Sequence, residues 1–212
     1  MTLNPYQHFR VNNYSIRMIN IKMKFPTKKC DFIIIRNGEE KTAKEWASQL
    51  VNERTPKGRV YTKSRIIKLA KQKQEDFQFK TYPDLPGEEW KVVYGCYYSD
   101  DPYDILKFIS DVKNNNNGYW EISNLNRVKY ITPYAENVFS GNRLGEINGE
   151  AAITIDGVLC ECSSLSFRLF RDKEYWSETM KPWHMVVNKN DDYMDFRPEN
   201  LEIRVDKRFE DI

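Results

Sequence analysis

The chain has 212 residues, of which 40% are hydrophobic and 30% are charged, and its formal net charge is +2. This apolar content is enough for at least one buried core, which excludes an intrinsically disordered chain. The sequence has no run of about 18 apolar residues, and its first residues lack the apolar stretch of a signal peptide. We therefore expect a cytoplasmic protein with no membrane partner.

The small net charge conceals a strong asymmetry between the two parts of the chain. Residues 1–80 contain 18 Lys/Arg and 7 Asp/Glu, a net charge of +11. Residues 81–212 contain 15 Lys/Arg and 24 Asp/Glu, a net charge of −9. The N-terminal part is thus expected to bind a polyanion, whereas the C-terminal part alone would be repelled by one.

Two strands are predicted near the N-terminus. Apolar and polar residues alternate over residues 19–25, the pattern of a half-buried strand. A second strand, residues 32–36, runs into Asn37-Gly38, and this dipeptide favours a two-residue hairpin turn because both residues tolerate positive φ.

Two helices are predicted to follow. Thr42 and Glu45 have the spacing of a capping box, and the helix that they begin is expected to end near Asn52. Its apolar face comprises Ala43, Trp46, Ala47, Leu50 and Val51. After a break at Pro56 and Gly58, Thr62 can cap a second helix. The apolar stripe of that helix comprises Ile66, Ile67, Leu69 and Ala70.

The segment around the second helix is strongly basic. Between Lys57 and Lys73 it has seven Lys/Arg and no acidic residue. This pair of helices is similar to a helix-turn-helix whose second helix enters a major groove, although a helical hairpin with a solvated basic face would give the same pattern. The side chains that we expect to contact nucleic acid are Lys57, Arg59, Lys63, Ser64, Arg65, Lys68, Lys71 and Lys73.

A domain boundary is predicted where the charge changes sign. Residues 82–87 contain two prolines and a glycine, so residues 1–80 are assigned to a basic domain, 81–87 to a linker and 88–212 to a second domain. Beyond the linker, residues 101–112 have the pattern of a helix, and the dipeptide Asp156-Gly157 favours a hairpin between residues 152–155 and 158–162.

The four cysteines are too few and too widely spaced for a disulfide framework. Cys160 and Cys162 would share one face of a strand and could form half of a zinc site, with two further ligands taken from Cys30, Cys96, His8 and His184. None of those four residues has paired spacing, so packed cysteines are the favoured interpretation.

Two segments of the second domain resemble a known family. Residues 88–91 (EEWK) and 118–128 (GYWEISNLNRV) resemble the modular domain that precedes the HNH module in homing endonucleases of phages and introns. Asn126 stands where that family has glycine, and asparagine is the best substitute at positive φ. Residues 197–202 (RPENLE) resemble the motif that opens the helix of the family's ββα-metal nuclease module, and residues 165–170 resemble its hairpin-to-helix segment.

The resemblance implies a metal-dependent nuclease, in which a histidine base activates water beside a divalent ion. Counted back from residues 197–202, the family's histidine pair falls on Val187 and Asn188, and its loop asparagine falls on Phe196. An upstream histidine of the family falls near Ser163, and a distal metal-binding asparagine falls near Phe209. None of these side chains can replace a histidine base, so a degenerate, inactive site is predicted.

No cofactor or metal is expected, and Mg²⁺ would be required only if the nuclease were active. The weak alternative is a relocated site at His184. Its carboxylates would come from Asp191, Asp192 and Asp195.

The predicted fold is α+β, with a strand hairpin and helix-turn-helix-like domain followed by an α+β domain that contains the degenerate HNH-like module. Three functions remain open. The first is an inactive homing-endonuclease-like protein that binds double-stranded DNA through its basic N-terminal region. The second is a phage-encoded inhibitor or adaptor whose acidic half binds a host protein, and the third is an active nuclease that uses His184.

Overall fold

The computed structural model describes residues 23–24, 26, 28–93, 118–155, 158–171 and 184–205. The helices are α1 (Ala43–Gln49), α2 (Lys63–Gln72) and α3 (Cys162–Phe170). The strands are β1 (Met23–Lys24), β2 (Ile33–Arg36), β3 (Glu39–Thr42), β4 (Gln78–Phe79), β5 (Trp90–Val93), β6 (Tyr119–Ser123), β7 (Val128–Ile131), β8 (Glu136–Phe139), β9 (Gly145–Ile147), β10 (Glu150–Ile155), β11 (Val158–Glu161), β12 (His184–Asn188) and β13 (Leu201–Val205). The chain thus has the predicted α+β fold.

Several sequence predictions lie outside the described residues. These are the strand residues 19–22, the helix at 101–112, the turn residues Asp156 and Gly157, and the side chains of His8, Cys96 and Phe209.

In the N-terminal part, α1 and α2 pack on a small antiparallel sheet of order β3-β2-β4. Asn37 and Gly38 form the turn between β2 and β3 with φ of 52° and 80°, which confirms the predicted hairpin. The capping box at Thr42 and Glu45 is also confirmed. The core comprises Ile34, Ala43, Trp46, Leu50, Tyr61, Ile66, Leu69, Ala70 and Phe77.

Helix α1 is shorter than the sequence predicts. It ends at Gln49 with Leu50 as C-cap, and Val51 is therefore 57% exposed rather than part of the apolar face. The connection to α2 covers residues 50–62 and contains a bridge between Arg54 and Val60. It is longer than the three- or four-residue turn of a helix-turn-helix.

The C-terminal part contains two four-stranded antiparallel sheets, of order β5-β6-β7-β8 and β1-β9-β10-β11. Helix α3 packs on both sheets. The core between them comprises Val93, Trp120, Ile122, Val128, Tyr130, Phe139, Leu144, Ala151, Ile153, Cys162, Leu165, Leu169 and Phe196. Strand β1 precedes the N-terminal sheet in sequence but pairs with β9.

The predicted hairpin around residues 156–157 is confirmed by the pairing of Ile155 with Val158. Residues 165–170, which resemble the family's hairpin-to-helix segment, lie in α3. The prediction that residues 197–202 open a helix is wrong. Pro198–Asn200 form a single 3-10 turn, and the chain then enters β13, where Leu201 pairs with Asn188 of β12.

Aromatic and polar contacts connect the two parts. Phe32 stacks on Tyr130 at a centroid distance of 6.3 Å, and Phe79 contacts Tyr134 at 6.2 Å. The Asn137 amide is fully buried and donates to the backbone carbonyls of Lys29 and Asp31.

The segment predicted as a linker is fastened to the C-terminal sheet. The backbone N–H of Tyr82 donates to the Glu136 carboxylate, and the Trp90 indole donates to Asp84. Arg127 donates to the carbonyl of Pro83. These bonds fix the position at which the chain leaves the basic part.

Across the described ranges, the helices are all too short or too polar to cross a lipid bilayer.

Candidate nucleic-acid interface and candidate nuclease site

Helix α2 has well-defined ends. At its N-terminus the Thr62 hydroxyl accepts a hydrogen bond of 3.3 Å from the backbone N–H of Arg65. At its C-terminus Lys73 adopts a left-handed conformation, with φ of 49°, and its N–H points to the carbonyls of Leu69 and Ala70. These caps satisfy backbone groups that helix ends otherwise leave unpaired.

The apolar side of α2 is buried and its opposite side is exposed. Ile66, Leu69 and Ala70 face the core. The opposite face presents Ser64, Lys68, Lys71 and Gln72, which follow helical spacing and are all exposed. Gln72 was not predicted as a site residue, although its position four residues after Lys68 would have indicated it.

Among the described residues, no carboxylate pairs with the cations of this segment. Of the predicted contact residues, Lys57, Arg59, Lys63, Lys68, Lys71 and Lys73 are exposed, and Arg65 is half-buried. None of them makes an ion pair with any carboxylate that the structure describes. Lys71 instead places its Nζ 3.5 Å from the centroid of the Tyr134 ring. The positive charge of this face is therefore available to an external anion.

Lys57 and Arg59 lie on a short hairpin in the α1–α2 connection. The N–H of Gly58 donates to the carbonyl of Thr55 at 2.8 Å, and the N–H of Thr55 donates to the carbonyl of Arg59 at 2.9 Å. The Thr55 hydroxyl also accepts from the N–H of Arg59 at 3.1 Å. Gly58 has φ of 72°, so the loop is a β-turn followed by a left-handed glycine.

Tyr61, the one aromatic residue of the basic segment, is 4% exposed. Its hydroxyl donates to the Glu75 carboxylate at 2.5 Å, and the Arg36 guanidinium lies 5.5 Å from its ring centroid. Burial, together with the bond to Glu75, raises the pKa of Tyr61 to about 12. Tyr61 therefore belongs to the core and offers no surface on which a base could stack.

The end of α2 borders a cleft of about 340 Å³ beside the β2–β3 turn. The cleft is lined by Ile35, Asn37, Gly38, Lys73, Asp76, Phe77 and Gln78. Because the Asp76 carboxylate shares its wall with Lys73, the cleft has mixed charge and is a weaker anion site than the open face of α2.

The positions that would correspond to the nuclease site lie at the end of β12 and in the loop that follows. Asn188 is buried, and its Nδ2 donates to the backbone carbonyl of Asp195 at 2.6 Å. Phe196 is fully buried in the core, and half-buried Val187 pairs with Glu202 across the β12–β13 ladder. Ser163 is also buried, 3.3 Å from the Glu150 carboxylate. These residues are buried or paired within the fold, and none of the four side chains has the basicity of a histidine.

The Asp195 carboxylate is saturated by donors. Arg197 donates twice, through Nε at 2.8 Å and Nη2 at 2.6 Å. Asn126 donates at 2.8 Å and Asn190 at 3.0 Å. The Arg197 hydrogen bonds, reinforced by that of Asn126, hold the pKa of the Asp195 carboxyl well below its usual range. A metal ion could bind this carboxylate only after several of these bonds were broken.

His184 lies at the opposite end of β12 from this loop. Asn188 lies four positions after it along the strand, which corresponds to about 13 Å. A shared metal ligand set with Asp195 would require a much shorter separation, since metal–ligand bonds are about 2.0–2.3 Å long. Among the residues with described positions, no three His, Cys, Asp or Glu side chains are grouped to hold a metal ion.

The cysteine pair does not have the predicted arrangement. Cys160 lies in β11, but Cys162 is the first residue of α3, so the two do not alternate along one strand. Cys162 is fully buried, and burial raises the pKa of its thiol, which disfavours the thiolate that binds zinc. The packed interpretation is confirmed for Cys162.

No protein-family model, curated protein or solved structure matches this chain. The resemblance to homing endonucleases therefore rests on its motif residues alone.

Proposed function

We propose that this chain is a catalytically inactive HNH homing-endonuclease-like protein that binds duplex DNA in the cytoplasm through α2 and the hairpin before it. The observation that carries the proposal is the largely exposed positive charge of Lys57–Lys73, which makes no ion pair with the carboxylates that the structure describes. Phosphate neutralisation by such cations supplies most of the sequence-independent affinity of DNA-binding proteins.

The shape of the interface favours duplex DNA over single strands. Helix α2 has ten residues and is about 15 Å long, with its polar face uncovered, dimensions that suit a major groove. Proteins that bind single strands stack bases on exposed aromatic side chains. The basic segment has only Tyr61, and that ring is buried. A-form RNA is disfavoured as well, because its deep and narrow major groove does not admit a helix.

The loop after β12 supports the inactive part of the proposal. Hydrolysis of a phosphodiester by HNH nucleases requires a base that activates water and side chains that hold a divalent metal ion. The amide of Asn188 donates into the loop, and the carboxylate of Asp195 accepts from Arg197 and two asparagines. Neither group is placed to activate water.

Fluorescence anisotropy with a labelled duplex at moderate salt tests the binding proposal. Reversal of two exposed cations in Lys63→Glu/Lys68→Glu should weaken binding by at least about tenfold, since two carboxylates on this face would repel the DNA polyanion that the lysines attract. The matched control Lys28→Glu/Lys189→Glu makes the same change in net charge at exposed positions outside residues 54–73 and should bind nearly as well as the parent chain.

Equal losses in both variants would show that net charge, and not this face, controls binding, and would contradict the proposal. Undetectable binding of the parent chain would also contradict it, and would favour the alternative in which the acidic half binds a protein.

A further inference from the structure

The hairpin in the α1–α2 connection is closed by hydrogen bonds and directly adjoins the N-terminus of α2. Thr55 is 5% exposed and takes part in three hydrogen bonds within the turn. The bridge between Arg54 and Val60 closes its base. The N–H of Thr62, the cap of α2, donates to the carbonyl of Val60 at 3.2 Å, so the hairpin leads into the helix with no intervening loop.

The tip of the hairpin is exposed and basic. Residues 56–60 are all exposed and include Lys57 and Arg59. Since the backbone around them is held by hydrogen bonds, these cations lose little backbone entropy when they meet a phosphate. Ordered cations beside a groove-binding helix fix the register of a protein on DNA without contacting bases.

The outward face of α2 carries a different set of groups. Ser64, Lys68 and Gln72 recur every four residues and form one row along the centre of that face. Serine, lysine and glutamine are side chains that hydrogen-bond base edges in the major groove. The row thus offers hydrogen-bonding groups that suit base edges, and the hairpin offers cations that suit phosphates.

We propose that the two elements have different roles in DNA binding. The hairpin of residues 54–60 contacts the phosphate backbone, and the row Ser64, Lys68 and Gln72 contacts base edges. This inference rests on the proposed binding of duplex DNA and adds a second contacting element to it. It makes Lys57 and Arg59 determinants of affinity, and Ser64 and Gln72 determinants of sequence preference.

Salt dependence and base preference separate the two roles. The measurement is the slope of log affinity against log salt concentration for a duplex selected from a randomised pool, together with the base preference at each position of that pool. For Lys57→Gln/Arg59→Gln the slope should fall in magnitude by about 1.8, which corresponds to two phosphate contacts, and the preference should be unchanged. For Ser64→Ala/Gln72→Ala the slope should be unchanged and the preference at one or two positions should be lost.

A third variant tests the rigidity of the hairpin with both cations retained. Gly58 has φ of 72°, and an added Cβ would meet no atom within 4 Å, so Gly58→Ala strains only the backbone of the turn. Its affinity should lie between those of the parent chain and the double glutamine variant.

An unchanged salt slope in Lys57→Gln/Arg59→Gln would overturn this inference and leave the proposed function standing, provided that the parent chain binds duplex DNA. A change of base preference in that variant would overturn it as well. Failure of the parent chain to bind any duplex would instead overturn the proposed function itself.

Discussion

The side-chain amide of Asn188 donates a 2.6 Å hydrogen bond to the backbone carbonyl of Asp195, seven residues later. Asn200 donates to the same carbonyl at 2.8 Å. Two amides from the ends of β12 and the following 3-10 turn thus hold one loop closed. At the position that corresponds, by motif resemblance, to the base of HNH homing endonucleases, the chain has a hydrogen-bond donor that fixes the backbone.

The Asp195 carboxylate should contribute strongly to stability. Substitution Asp195→Asn leaves Arg197, Asn126 and Asn190 without a charged acceptor, and hydrogen bonds to charged groups contribute about 1.5–3 kcal/mol each. Because Arg197 is partly exposed, we expect a net loss of about 2–3 kcal/mol in the free energy of unfolding, measured by urea denaturation. The control Asp191→Asn, at an exposed position, should change the stability by less than about 0.5 kcal/mol. If Asp195→Asn also lowered the free energy of unfolding by less than about 0.5 kcal/mol, the hydrogen bonds to Asp195 would not stabilise the fold.

The same carboxylate should make stability depend on pH at the acid end. Its pKa is lowered in the folded state, so its stabilising contribution is fully present above the unfolded value of about 3.9 and is lost as the pH falls below that value. The difference in unfolding free energy between the parent chain and Asp195→Asn should therefore be constant from pH 5 to 7 and shrink below about pH 4. A difference that grows on acidification would contradict the assignment.

Asn126 combines a backbone role with a side-chain role. It has φ of 59°, and its Nδ2 donates to Asp195 at 2.8 Å. Asn126→Gly should keep the turn and lose only the hydrogen bond, whereas Asn126→Ala should lose the bond and also strain the turn. We expect the alanine variant to be less stable than the glycine variant by about 1 kcal/mol, measured by thermal unfolding. Equal stabilities would mean that the positive φ carries no cost here.

Tyr61 should be neutral for DNA binding. Tyr61→Phe removes the bond to Glu75 and keeps the buried ring, so anisotropy with the labelled duplex should give an affinity within about twofold of the parent chain. A loss of tenfold or more in a variant with an unchanged circular dichroism spectrum would show that this ring contacts nucleic acid after all.

Features encoded within a few residues were predictable from the sequence. The turn at Asn37-Gly38, the capping box at Thr42 and Glu45, and the cap at Thr62 all formed because one or two neighbouring side chains determine the local backbone. The same holds for the positive φ of Asn126.

Features that depend on distant pairing were not predictable. Pro198 and Glu199 suit the first turn of a helix, but Leu201 pairs with Asn188 and draws the following residues into β13. The bond between Asn126 and Asp195 joins residues 69 positions apart, and β1 pairs with β9 across more than a hundred residues. Neither spacing leaves a periodic signal in the sequence.

Incubation with supercoiled plasmid and Mg²⁺, followed by gel electrophoresis before and after proteinase treatment, tests binding and cleavage together. We predict that the plasmid is retarded before treatment and fully supercoiled after it, because the proposed function is binding of duplex DNA without cleavage. Nicked circles that disappear when a chelator is added, or a plasmid that is never retarded, would contradict the account.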